Sequence, residues 1–409
     1  MIPASELRDV DAADVYKGDL LAGSLTRVGN DVVFRYDSDY LDSASAPDLA
    51  WSIPKSSLET RASGGSIPPF FAGLLPEGVR LTGVVTATKT SEDDHFTLLL
   101  AVGSDTIGDV RVLPRGQEMS LSGNAFDSRH RVPDLRRLFD SLSTGESVSQ
   151  DPSALPGVQG KVSAQMYSTP VSTTAGPATL RLAPPVRLPQ LVENESFFMN
   201  LARRCGLSVP EHRVIEDDKG ISGLLAARFD RIGEQRLPQE DACQVSGLYP
   251  ASKYRMKTEA VIALLADTVE RGGGSARQAT AELLRLTAYS YAIGNGDLHG
   301  KNYSIHQNTR GIWSITPAYD LLCTQPYASW SDPMALNFYG RASRWTRQHF
   351  VESAGRLGMP ERATRRILDD VSSGVLAGID EVETIGFDEK STRRLGQVLE
   401  HRCQELRGA

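Results

Sequence analysis

The run Asn295-Gly296-Asp297-Leu298-His299-Gly300-Lys301-Asn302 gathers two amides, a carboxylate, an imidazole and an ammonium. It follows an apolar helical stretch, so these polar groups sit in a glycine-containing loop, where such density serves chemistry better than structure. Any one of Asp297, Asn302 or Asp320 alone would be an ordinary turn or capping residue. Downstream, residues 304–306 and 312–316 flank Gln307-Asn308-Thr309-Arg310-Gly311, the pattern of a hairpin with a five-residue connection. Closing that hairpin brings Asn302 beside Ala318-Tyr319-Asp320. An amide oxygen and a carboxylate then converge, a hard-oxygen set suited to Mg²⁺ with waters and phosphates completing the octahedron. Asp297 remains to orient or deprotonate a hydroxyl. The chemistry that uses these parts together is phosphoryl transfer.

Acid, metal-binding amide and metal-binding carboxylate, in that chain order, make the catalytic half of a protein-kinase site. The elements that must position them read as follows. Residues 20–28 and 31–36 alternate around Gly29-Asn30, a turn pair tolerant of positive φ. Trp51-Ser52-Ile53-Pro54 ends a further extended piece, and the first ~125 residues read mainly as short strands and turns. Residues 141–156, rich in Ser, Asp, Gly and Pro, read as a linker or mobile loop. Strand signals resume at 178–182, 209–215 and 223–229, with a helix over 191–205 ended by Gly206. From Thr258 onward helices dominate, over 259–271, 277–293, 348–357, 361–376 and 389–406.

With these motifs in view, the chain resembles the HipA-like serine/threonine kinases, toxins of bacterial HipBA-type toxin–antitoxin pairs. The run 295–305 resembles their catalytic loop, and Phe70-Phe71-Ala72-Gly73-Leu74-Leu75-Pro76-Glu77-Gly78 their N-terminal signature. Gly157-Val158-Gln159-Gly160-Lys161 looks like their phosphate loop, and Glu193-Asn194-Glu195 like the opening of their first kinase helix. Arg228-Phe229-Asp230-Arg231 resembles the end of their hinge strand. Gln239-Glu240-Asp241, Lys253-Tyr254 and Pro317-Ala318-Tyr319-Asp320-Leu321 follow in the family's order.

The resemblance implies an α+β, two-lobed, protein-kinase-like fold. Its parts would be a β-rich N-terminal subdomain over 1–140, a kinase N-lobe over 141–235 and a helical C-lobe over 236–409. It implies ATP and Mg²⁺ as cofactors, with Asp297 as catalytic base and Asn302 and Asp320 as metal ligands. His299 and Lys301 would support the loop or contact phosphate. Gly157, Val158, Gln159, Gly160 and Lys161 would cradle the nucleotide phosphates, and Ala227 and Phe229 would offer hinge groups to adenine. The implied substrate is a translation-related protein such as an aminoacyl-tRNA synthetase. The implied partner is a HipB-like helix-turn-helix antitoxin, through which operator DNA is reached.

Two positions depart from the family pattern. Arg181 stands where the family carries a phosphate-holding lysine; it keeps the charge, but its longer planar fork predicts altered ATP affinity or turnover. The family's autophosphorylated serine falls at Ala154, with Ser153 one position earlier as the candidate acceptor. Two other classes compete: a small-molecule kinase of the aminoglycoside-phosphotransferase kind, which shares the Asp–Asn–hairpin–Asp order, and a pseudokinase acting through partner contacts.

Composition bounds these readings. The 409 residues suffice for two or three domains, with 40% hydrophobic and 23% charged residues, as in an ordinary globular protein. A net charge of −7 argues against strong DNA binding by the chain itself. The isolated Cys205, Cys243, Cys323 and Cys403 read as partly buried free thiols. Without a signal-peptide pattern or a spanning apolar run, the expected location is cytoplasmic, with no membrane partner. Trp313, Trp330 and Trp345 read as packing aromatics, and Arg341, Arg344 and Arg347 as a solvated basic face.

Overall fold

The computed structural model of the chain describes residues 2–118, 132–143, 166–184 and 188–408. Two compact units emerge, Met1–Pro184 with Ile215–Pro250, and Pro185–Val214 with Ala251–Ala409. The first unit carries β1 (Ala12–Lys17), β2 (Leu20–Val28), β3 (Asp31–Tyr36), α1 (Ser38–Asp42), β4 (Glu59–Ser63), α2 (Pro69–Gly73), α3 (Gly78–Thr88), α4 (His95–Val102) and β5 (Val110–Pro114). It continues through α5 (Leu135–Ser143), β6 (Tyr167–Thr173) and β7 (Gly176–Leu182). After α6 (Leu191–Arg204) in the second unit, the chain returns along β8 (His212–Glu216), where the boundary falls. It then forms β9 (Ser222–Ala227), β10 (Arg231–Ile232), β11 (Gln235–Arg236), β12 (Gln239–Asp241) and α7 (Ala242–Val245). The second unit holds α8 (Thr258–Arg271), α9 (Ala276–Ala292), β13 (Ser304–Gln307), β14 (Trp313–Ile315), α10 (Arg347–Arg356), α11 (Glu361–Ala377) and α12 (Glu389–Arg407). No helix among the described residues is long and apolar enough to cross a membrane, and all four cysteines are buried and free.

The N-terminal sheet runs β4-β3-β2-β1-β5, with β2 and β3 closing at Val28↔Asp31 around Gly29. Its inward positions, including Val15, Leu25 and Phe34, pack on Phe71 and Phe96. The apolar signature 70–75 is thus core, with the Phe34 and Phe71 rings 5.5 Å apart. Helix α3 follows the apolar signature, where the proline-bracketed turn leads into a helix, whereas α4 was not evident as such in the sequence. Phe96 through Val102 are all buried, and a short run that is apolar on every side has no period that separates helix from strand. Residues 50–53 form a tight turn closed by an Ala50↔Ile53 bridge rather than the end of an extended piece. Ser141 and Ser143 belong to the last turn of α5, so the linker does not begin at 141; its residues 144–156 lie outside the described set.

Glu240, on β12, is 3% exposed and accepts the Trp51 N–H at 3.0 Å. Burial pushes its carboxyl from the ordinary 4.5 up to about 8, outweighing the opposite effect of the Trp51 bond. The native unit therefore holds a proton that the unfolded chain releases. Its stabilising contribution is complete below pH 4.5 and is lost as pH rises towards 8. The thermal midpoint is expected to fall between about pH 6 and about pH 8.5, and Glu240→Gln to flatten that fall. Equal pH slopes in the two proteins would exclude this origin.

In the second sheet, β7 lies between β6 and β9, antiparallel to both. Leu180 and Leu182 face Leu135 and Phe139 of α5, while Arg181, opposite Ser168 and Leu224, takes the alternate face. The chain leaves β9 through a buried ionic knot. Asp230 accepts from Arg228 at 2.8 Å, from Arg231 at 2.7 Å and from the Gly108 N–H at 2.9 Å. Asp105 pairs with Arg228, Arg231 and Arg236.

Candidate active site

Helix α9 is buried on most of its circumference, with Leu283, Leu284, Ala288, Tyr289 and Tyr291 all inside. Such a helix belongs in the middle of a helical unit, and it delivers its C-terminus to a fixed place. There Gly294 adopts φ +74, its N–H bonds the Tyr291 carbonyl at 3.1 Å, and the Asn295 N–H reaches Ser290 at 2.9 Å. This left-handed termination favours glycine. Gly296 is required by close approach, since a Cβ there would stand 2.1 Å from Asp332 Oδ2. The Gly296 N–H donates to Thr324 Oγ1 at 2.9 Å, and that hydroxyl donates to Asp332 at 2.6 Å.

Asn295 staples the site. Its side-chain oxygen accepts the Asp297 N–H at 3.0 Å, and its amide donates to the Asp320 carbonyl at 3.0 Å. One fully buried carboxamide thus ties the two aspartate segments together. Asp320 sits at φ +54, a left-handed conformation that costs a non-glycine residue energy and is held here by its surroundings. The hairpin forms with a five-residue connection, shifted by one from the expected bounds: Gln307 pairs with Trp313 in the strands, leaving 308–312 as the connection, and Ile305 faces Ile315. Tyr319 locks it by donating to the Lys301 carbonyl at 2.7 Å. From α6, Asn194 donates to the Cys323 carbonyl at 2.9 Å and accepts the Cys323 N–H at 3.0 Å, fixing the backbone just past Asp320.

Asp297 is 1% exposed, and Tyr254 Oη donates to its Oδ1 at 2.9 Å. Asn302 closes a 3-10 turn over Gly300–Asn302, with its N–H on the His299 carbonyl at 2.9 Å. Asn302 supplies an amide oxygen and Asp320 a carboxylate, two hard-oxygen groups within the second unit. Among the described residues no group of three or more His, Cys, Asp or Glu side chains forms a metal cluster. Oxygens of these kinds suit Mg²⁺, which keeps waters and takes substrate phosphates rather than demanding an all-protein cage.

The structure brings Asp297, His299, Lys301, Asn302 and Asp320 together in the second unit. His299 is 1% exposed with its ring edge-on to Tyr254, and Lys301 is 4% exposed. Arg181, Ala227 and Phe229 lie in the first unit; Ala227 is exposed at the end of β9, and Arg181 and Phe229 are half-buried. Gly157, Val158, Gln159, Gly160, Lys161 and Ser153 lie outside the described residues. Trp345 is core, stacked on Tyr291 at 5.2 Å, and Arg347 is paired with Asp369 at 2.6 Å. Sequence reasoning missed the supporting roles of Asn194, Tyr319 and Thr324. It also gave Asn295 no task, although that residue opens the diagnostic run.

Comparison with known proteins decides the family. Residues 153–379 match the HipA-like C-terminal domain, and residues 13–113 match the HipA N-terminal domain. The chain belongs to the HipA-like kinase family. Two putative kinases of Sinorhizobium fredii are similar to it. One is 29% identical over 92% of this chain and 94% of the relative; the other is 30% identical over 75% of each. The serine/threonine-protein kinase toxin HipA of Shewanella oneidensis is 24% identical over 79% of this chain and 77% of that protein. In structure, this HipA-like chain resembles one from the Shewanella oneidensis MR-1 HipA, HipB and operator DNA complex. The TM-score is 0.74 at 20% identity, covering 97% of this chain and 99% of that one. The expected α+β kinase-like fold is therefore the observed one.

Proposed function

We propose that this HipA-like kinase transfers the γ-phosphoryl group of ATP, with Mg²⁺, to a serine or threonine hydroxyl of a cellular, translation-related protein. The single observation carrying this reading is the Asn295 staple, which holds the backbone of Asp297 and that of Asp320 in one buried network beside Asn302. Asp297 orients the acceptor hydroxyl and takes its proton as the new oxygen–phosphorus bond forms and ADP leaves. Asn302 and Asp320 would hold the metal, which would offset the charge of the phosphates. Arg181 would grip phosphate with its planar fork, backbone groups of residues 157–161 would cradle the phosphates with Lys161 adding charge, and Ala227 and Phe229 would meet adenine. A HipB-like antitoxin would restrain the enzyme and carry the operator contacts, in keeping with the net charge of −7.

The test is incubation of the chain with radiolabelled ATP, Mg²⁺ and a degenerate serine/threonine peptide library, followed by phosphoamino-acid analysis. Labelled phosphoserine or phosphothreonine that is absent with Asp297→Ala is the expected result. Label confined to small molecules would indicate the small-molecule kinase. A folded chain that transfers no label and gives no heat with Mg-ATP would be a binding module, the reading that Arg181 would then motivate.

A further inference from the structure

Resting on the reading of Asp297 as base, we infer that Tyr254 is a positioning residue that sets the orientation of the Asp297 carboxylate. The dipeptide Lys253-Tyr254 meets the catalytic loop at three points. Tyr254 Oη donates to Asp297 Oδ1 at 2.9 Å. Its ring stands edge-on to His299, with centroids 5.1 Å apart and planes at 79°. The Lys253 carbonyl accepts the Gly300 N–H at 3.1 Å. The Lys253 ammonium lies 5.4 Å from the centre of the Tyr254 ring, so the ring is gripped by a cation as well as by the imidazole. The turn holding both residues leads into α8, whose first N–H, from Thr258, is bonded to the Asn337 carbonyl at 2.9 Å.

The Asn295 staple holds the Asp297 backbone through its N–H and does not itself aim the carboxylate. The terminal torsion of an aspartate is broad and roughly two-fold, so backbone placement alone does not aim an oxygen. A phenol on Oδ1, itself held at its ring and through its neighbour's carbonyl, restrains that plane and so the direction from which the carboxylate meets an acceptor hydroxyl. A base effective in proton transfer needs this hold on its geometry, supplied by groups whose own conformations are locked. Tyr254 acts through Asp297, the group its hydroxyl bonds.

The experiment measures label transfer from ATP to the serine/threonine peptide library, with ATP varied, for wild type, Tyr254→Phe, Asp297→Asn and the double variant. Phenylalanine keeps the ring against His299 and removes only the oxygen. Tyr254→Phe is expected to lower kcat on the order of tenfold, with the KM for ATP, the Mg-ATP affinity by calorimetry and the melting midpoint all close to wild type. In the Asp297→Asn background the same substitution should change nothing further, because the two residues act as a unit. An unchanged kcat in Tyr254→Phe, with Asp297→Asn inactive, overturns the inference and leaves the base assignment standing. Full activity of Asp297→Asn overturns both. Loss of Mg-ATP affinity or of the cooperative melt in Tyr254→Phe also overturns the inference, since the oxygen would then serve nucleotide binding or the fold.

Discussion

Replacing Asp297 (Asp297→Asn) is expected to lower phosphoryl transfer by about 10²–10⁴-fold, the range that general-base groups supply. A loss of about 10³-fold corresponds to ~4 kcal/mol of transition-state stabilisation. Asparagine has the shape of aspartate, so the contacts to Asn295 and Tyr254 have counterparts. Its main-chain N–H still reaches Asn295, and its side-chain oxygen still accepts from Tyr254, as Asp297 does at 3.0 Å and 2.9 Å. What is removed is the capacity to take a proton. The KM for ATP and the heat of Mg-ATP binding should therefore stay within a few-fold of wild type, since neither Asn302 nor Asp320 is altered. Steady-state kinetics with varied ATP, together with calorimetry, check this. A variant retaining more than about a tenth of wild-type kcat would exclude Asp297 as the base. Asp297→Ala is the less clean comparison, because it also removes the carboxylate that accepts from the Tyr254 hydroxyl.

The catalytic loop is legible in the sequence because its parts are nearly contiguous. Helix end, glycines, acid and amide fall within residues 293–302, and the hairpin that returns the chain to Asp320 is short enough to recognise by its strands. The later helices are legible for a related reason: α8, α9, α11 and α12 each run at least 14 residues with a helical period. What cannot be read from one chain is closure over long separations. Asn194 meets Cys323 across 129 positions, and Tyr254 meets Asp297 across 43; neither residue type announces its partner. The same limit hides the purpose of Arg228-Phe229-Asp230-Arg231. As a motif it reads as the end of a hinge strand. In the structure its charged residues clasp the segment 104–108, more than a hundred residues earlier.

That clasp gives the largest expected effect on stability. Asp230→Ala should destabilise the first unit by about 3–5 kcal/mol, the usual cost of removing one partner from a buried ion pair. Three guanidiniums, from Arg228, Arg231 and Arg236, surround two carboxylates, Asp105 and Asp230. Arg228 and Asp230 are 7% and 4% exposed, so water does little to replace a missing partner. Burial alone would raise the Asp230 carboxyl, yet the charges of Arg228 and Arg231 outweigh it and hold the group well below the usual carboxylate range. The sign of the pH dependence follows: a depressed folded-state value gives stability that is present above the unfolded value and fades only in strong acid. Between pH 5 and 8 the contribution of Asp230 is therefore constant, in contrast to that of Glu240, which declines across the same window. Deleting the carboxylate would leave Asp105 alone against three cations and would orphan the Gly108 N–H, which Asp230 accepts at 2.9 Å. Asp230→Asn should cost less, because its amide oxygen can still accept from Gly108 or an arginine. Urea unfolding followed by tryptophan fluorescence, reported by Trp51 in the first unit, measures both variants. A shift in Asp230→Ala below about 1 kcal/mol would show that the arginines find water or new partners, and that the clasp is not what holds β9 to residues 104–108.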